Sequence, residues 1–122
     1  MREREPIMRG TTTKFATEAG NLYITLNLDS DGKPFEVFGV LGKGGSFERG
    51  MTELGCRQIS LALRSGISVA AVVKQCKGIA DMRPWPNQMD DGEVVSVRGI
   101  GDCIAYVLKP YADGSEGGMT TC

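Results

Sequence analysis

The chain has 122 residues, 41% hydrophobic and 24% charged, with a formal net charge of −1. That length suits one domain with a core that needs no disulfide or metal staple, and the faintly acidic balance lacks the basic footprint of a nucleic-acid binder, so no nucleic-acid partner is expected. There is no histidine, which removes the commonest general base, the usual catalytic triads and most catalytic zinc sites.

Residues 1–10, MREREPIMRG, are charged, contain Pro6 and Gly10, and read as a flexible N-terminal lead to a domain over 11–111. Their mix of acids and bases is unlike a transit peptide. No stretch approaches a membrane span, so no membrane partner and a cytoplasmic location are expected. Thr11 to Glu18 is rich in β-branched residues and predicts a first strand, followed by a turn at Ala19-Gly20-Asn21. Leu22, Ile24, Leu26 and Leu28 alternate with polar neighbours, the period of a strand with one face on a core. Asp29-Ser30-Asp31-Gly32 is turn chemistry. It imitates the start of a calcium loop, but the twelfth position from Asn27 is Phe38, where a bidentate glutamate is needed. A third strand runs from Phe35 to Leu41, with Phe35, Val37 and Leu41 on one face and Phe38 and Val40 on the other. The second face is too apolar to be merely solvated, which makes Phe38 and Val40 candidate interface residues.

Gly42-Lys43-Gly44-Gly45-Ser46 then joins the sheet to a helix over about Phe47–Ser65, with Ser46 as the expected N-cap and Gly66 as the stop. A second helix starts at Ser68, carries Val69, Val72, Val73 and Cys76 on one face, and ends in a Schellman turn at Gly78-Ile79. Residues 80–92, with Pro84, Trp85 and Pro86, read as an irregular loop; Val94–Val97 is a short strand or an extended link; Asp102–Tyr111 is a last helix; and 112–122 is a flexible glycine-rich tail. Strands followed by helices predict an α+β fold, a three-stranded or slightly larger antiparallel sheet with about three helices on one face.

Four cysteines, Cys56, Cys76, Cys103 and Cys122, form no CxxC pair, and the first three fall on apolar helix faces, as core thiols do. No metal site, cofactor or catalytic residue is expected. The candidate ligand-binding set is Lys43, Gly44, Gly45 and Ser46 as a phosphate cradle, Arg57 and Arg64 as cations seven apart on one helix face, and Trp85 as a stacking surface. Each has a plain structural counterpart: a tight turn, a surface pair with Glu53, a plug at the core edge.

Several segments together resemble one family. GNLYITLNLDSDGKPFEVFGVLGKGGS at 20–46 is similar to the hairpin of the TSCPD domain, GCRQISLALRSGI at 55–67 to its central helix, VVKQCKGIA at 72–80 to its next segment, and IGDCIAYVL at 100–108 to its last helix. The resemblance spans about residues 9–111. It departs from the family at the motif that names it, for Ser96-Val97-Arg98-Gly99-Ile100-Gly101-Asp102 keeps only the aspartate, and the chain holds no complete cysteine pair of a redox tail. The domain occurs at the C-terminus of adenosylcobalamin-dependent ribonucleotide reductases, whose radical chemistry resides in other domains. The resemblance therefore implies a non-catalytic accessory module with a homodimer or higher homo-oligomer, or a reductase catalytic chain, as partner. The alternative is a free-standing protein that binds or sequesters a nucleotide or another anionic small ligand.

Overall fold

The computed structural model describes residues 1–43 and 45–112. Three antiparallel strands, β1 (Arg9–Thr17), β2 (Gly20–Leu28) and β3 (Pro34–Leu41), form a sheet in the order β1-β2-β3. Helices α1 (Ser46–Arg64) and α2 (Val69–Cys76) follow, then a two-stranded antiparallel hairpin, β4 (Trp85–Gln88) with β5 (Val94–Val97), and a last helix, α3 (Ile100–Ala112). The fold is α+β, as the order of strands and helices predicts.

The register explains the two faces. Leu22 pairs with Leu41, Ile24 with Gly39 and Leu26 with Val37, while Phe15 pairs with Leu22 on the other side. These residues share one face because side chains alternate along a strand, and all but Gly39 are buried large hydrophobics. The helices pack there. At Gly39 a Cβ would lie 2.9 Å from Thr52 Cγ2 and 3.0 Å from Cys56 Sγ, so the missing side chain sets how closely α1 approaches β3. The Tyr106 ring of α3 meets Phe15 edge-on at 5.9 Å, and α2 packs mainly on α3. On the opposite face lie Thr12, Tyr23, Thr25, Phe38 and Val40, with Thr12 and Thr25 bonded to each other at 2.8 Å.

Helix ends follow local chemistry. Gly66, at φ +93°, ends α1 in a Schellman turn: its N–H donates to Leu63 O and that of Ile67 to Ala62 O. The N-cap of α1 is Gly45 rather than the expected Ser46, because the Glu48 carboxylate reaches back to accept from Gly45 N at 2.9 Å. Ser68 caps α2, accepting from Ala71 N. The expected Schellman turn at Gly78 does not form; α2 stops at Cys76, Lys77 is extended, and Gly78 N donates to Asp102 on α3.

Two other segments differ from expectation. Residues 80–92 are not wholly irregular, since β4 pairs with β5 from Trp85↔Val97 to Gln88↔Val94. Asn87 ties that hairpin to the sheet, accepting from Ala16 N at 2.7 Å and donating to Ala16 O at 2.9 Å. The first strand starts at Arg9, and two residues before it, Arg2 and Arg4, make contacts with the body. Arg2 N donates to Arg64 O, the Arg2 guanidinium pairs with Asp29 at 2.7 Å, and Arg4 pairs with Glu36 at 2.9 Å. Of the expected tail, residues 113–122 lie outside the described residues. No helix among the described residues is long and apolar enough to cross a membrane.

Candidate functional site

The clefts among the described residues include two large ones. The first, about 700 Å³, runs between β3 and α1, with Phe38, Val40, Arg57, Leu61 and Arg64 among its lining residues. It therefore joins the two helix cations to the two candidate interface residues. The second, about 530 Å³, lies between α2, α3 and β5. Neither Lys43, Gly45, Ser46 nor Trp85 lines either one.

The proposed ligand set is thus dispersed. Lys43 is exposed and packs its stem against the β1–β2 turn, where a Cβ on Gly20 would lie 2.9 Å from Lys43 Cβ. The Gly45 N–H, the donor an anion needs, already serves Glu48, so a carboxylate from the chain occupies this helix N-terminus. Ser46 opens α1 without capping it; Gly44 lies outside the described residues. Arg57 pairs with Glu53 one turn away. Arg64 donates to Arg2 O from Nε at 3.1 Å and Nη2 at 2.9 Å and lies over the Phe35 ring, 5.1 Å from its centre. Trp85 sits in the hairpin, partly exposed, on a separate element. Phe38 and Val40 are 48% and 63% exposed on the open sheet face.

The carboxylates resolve into separate structural networks. Glu36, 3% exposed, accepts from Arg4 Nε at 2.9 Å and Asn27 Nδ2 at 2.7 Å. Asp102 accepts from Gly78 N at 3.2 Å, from Arg98 N at 3.1 Å and from Arg98 Nε at 3.3 Å. Burial pushes the Asp102 carboxyl up, but these N–H groups and the Arg98 charge outweigh it and hold it below the ordinary value. The aspartate retained from the naming motif thus locks the end of α2 to the start of α3. The thiols of Cys56, Cys76 and Cys103 are buried and free. Burial, with the Cys76 thiol nearby, pushes Cys56 up to about 11, and burial with Asp102 and Asp81 pushes Cys103 up to about 12. Such groups are poor nucleophiles. Among the described residues no cluster of three metal-ligating side chains exists.

Sequence reasoning passed over the second cleft. Its cations are Lys74 on α2, Lys77 just past the end of α2, Arg98 between β5 and α3, and Lys109 on α3. Only Lys74 and Lys77 are neighbours in sequence, and the packing of α2 on α3 brings in Lys109. The one available signal was the closeness in sequence of Lys74, in the last turn of α2, and Lys77, just past its end.

Fold and site together define a small α+β domain without an assembled catalytic set among its described residues. A family model for the TSCPD domain matches residues 1–112, and the chain belongs to that family. No curated protein and no solved structure shows significant similarity to it.

Proposed function

We propose that this chain is a non-catalytic accessory module that works by self-association. The non-catalytic reading is supported by the absence of histidine and by thiols held protonated through burial. One observation carries the self-association. Helix α1 buries Thr52, Cys56 and Leu63 on the sheet, with Ile59 half-buried beside them, yet it also displays Phe47, Met51, Leu54 and Leu61 to solvent. At 3.6 residues per turn this second stripe, with Gln58 in its gap, lies directly opposite the buried one.

The stripe holds no charge, and Phe47 and Leu61 stand seven residues either side of Leu54. A second copy of α1, laid antiparallel about a twofold axis at Leu54, places Phe47 against Leu61 and Leu54 against itself. Self-complementarity of this kind is what an isologous dimer requires. Gly50 and Gly55 flank the stripe, and a Cβ at either would meet nothing within 4 Å, so no contact inside the chain accounts for them. Through Leu61 the stripe runs into the first cleft and on to Phe38 and Val40.

Light scattering coupled to size-exclusion chromatography tests the proposal. The full chain is expected to elute as a dimer at tens of micromolar, and Leu54→Glu as a folded monomer. A wild-type chain that stays monomeric to millimolar concentration overturns it. Dissociation by Phe38→Glu but not by Leu54→Glu moves the interface to the sheet face and overturns the helix pairing. A reductase catalytic chain is the other partner that family membership brings in, and co-elution with such a chain in place of the dimer decides against self-association.

A further inference from the structure

We infer that the cleft between α2, α3 and β5 binds a small organic molecule bearing two or more phosphate groups, of about nucleotide size. Charge is the first ground. Four cations line the cleft, Lys74, Lys77, Arg98 and Lys109, against one carboxylate, Asp102, a surplus of three in a chain whose net charge is −1. Asp102 is also fully engaged: Oδ1 holds Gly78 N, and Oδ2 holds the backbone and side chain of Arg98. Lys74, Lys77 and Lys109 have no ion-pair partner among the described residues. The first cleft differs in degree, because three of its four arginines, Arg4, Arg57 and Arg64, are committed to partners within the chain and Arg49 alone has none among the described residues. Carboxylates of the hairpin turn, Glu93, Asp91 and Asp90, act on Tyr106 at one wall without lining the cleft.

Shape is the second ground. A volume of about 530 Å³ lies within the range of small-molecule sites. The floor is apolar and made of small side chains, Ala70, Val73, Val97, Ala105 and Ala112, all buried. Exposed lysines at a rim above such a floor match a ligand with an anionic end and a flat apolar body. Three uncommitted ammonium groups need more than one negative charge to satisfy them, which favours a polyphosphate over a lone carboxylate. A concave cleft on a net-acidic molecule favours a small ligand over a nucleic-acid strand, which needs an extended basic surface.

Isothermal titration of the full chain at low ionic strength, with adenosine triphosphate as probe, tests this site. Titrations with tripolyphosphate, adenosine and a single-stranded DNA dodecamer run beside it. The triphosphate is expected to bind more tightly than either of its halves, and the Lys74→Ala/Lys77→Ala variant to bind it at least about tenfold more weakly, a loss of one strong charged contact. Arg57→Ala, in the first cleft, should change its affinity less than about twofold. The lysines are exposed, so the double variant should keep the wild-type circular dichroism. Absence of triphosphate and tripolyphosphate binding up to millimolar concentration overturns the site, as does equal affinity in the double variant. Tripolyphosphate binding as tightly as the nucleotide overturns the apolar-floor half of the assignment. Displacement of the nucleotide by the dodecamer overturns the small-ligand class.

Discussion

Asp102 serves as a structural clamp. Its two oxygens replace helix partners that the broken end of α2 and the start of α3 lack, and the Arg98 guanidinium neutralises it. Asp29 plays a similar part in the β2–β3 turn: burial pushes its carboxyl up, but the backbone N–H groups of Lys33 and Asp31 and the Arg2 charge outweigh it and hold it low. A carboxylate whose folded value is depressed contributes stability that is complete above its unfolded value, near 3.8, and is lost as pH falls through the folded one. Asp102→Asn should therefore cost about 1–3 kcal/mol at pH 7, about 4 °C in midpoint per kcal/mol, and flatten the loss of stability below pH 4. Thermal unfolding of both chains from pH 2.5 to 7 checks it; parallel curves would mean the clamp carries no charge-dependent stability. The thiols have the opposite sign. Cys56 and Cys103 keep their protons in the fold to about 11 and about 12, so stability falls once pH rises past 9, where unfolded thiols ionise. With Cys122 replaced by serine, native protein at pH 8 should react with a thiol reagent at least about a hundredfold more slowly than the urea-unfolded chain.

Among the elements, those with strong periodicity were legible from sequence and those held by single contacts were not. The alternation of Leu22, Ile24 and Leu26 dictated β2 and its buried face, and the spacing of Val69, Val72, Val73 and Cys76 dictated α2. The β4–β5 hairpin was hidden because Pro84 and Pro86 bracket Trp85 and only four residues pair on each strand; its position depends on Asn87 reaching Ala16 across seventy-one residues. The cap at Gly45 was hidden because the bond comes from Glu48, three residues on. The lysine cleft was hidden because Lys109 joins Lys74 and Lys77 only through the α2–α3 contact. Helix α1 was legible in length, but its imperfect stripe is two opposed stripes, one on the sheet and one outward. Its two interior glycines make a sharp prediction. Gly50→Ala and Gly55→Ala each remove about 1 kcal/mol of helix penalty and meet no atom of the chain within 4 Å. Chemical denaturation at a concentration where the chain is monomeric should show each variant more stable than wild type, by roughly that amount, while the dimer proposed above weakens because the helices can no longer approach as closely. Unchanged self-association would remove the glycines from the case for that interface.

At the scale of the whole molecule, the lead ties the β2–β3 turn to the end of α1. Residues 1–8 cross from the β2–β3 end of the sheet to the C-terminal end of α1, and Arg2 touches both: its side chain holds Asp29 while its backbone exchanges bonds with Arg64. The guanidinium groups of Arg2 and Arg64 lie 4.9 and 5.1 Å from the centre of the same Phe35 ring. Composition alone pointed to a loose segment, because a run of alternating charges usually stays in water; what it omits is that Glu36, deep in β3, requires a cation from outside its own strand. Arg4 supplies it. Leaving a buried carboxylate without its counter-charge costs more than the pair itself contributes, although the exposed side of Arg4 moderates the effect here, since its side chain is 43% exposed. Arg4→Ala should lower stability by about 1–3 kcal/mol. The double variant Arg4→Ala/Glu36→Gln should recover part of that loss, because the amide retains the bond to Asn27 without a charge to compensate. Urea unfolding of the wild type, both single variants and the double variant gives the coupling between the two positions directly. A coupling near zero would mean that Arg4 merely rests on the surface and that the lead belongs outside the domain; a coupling above about 1 kcal/mol makes residues 1–8 a working part of the fold.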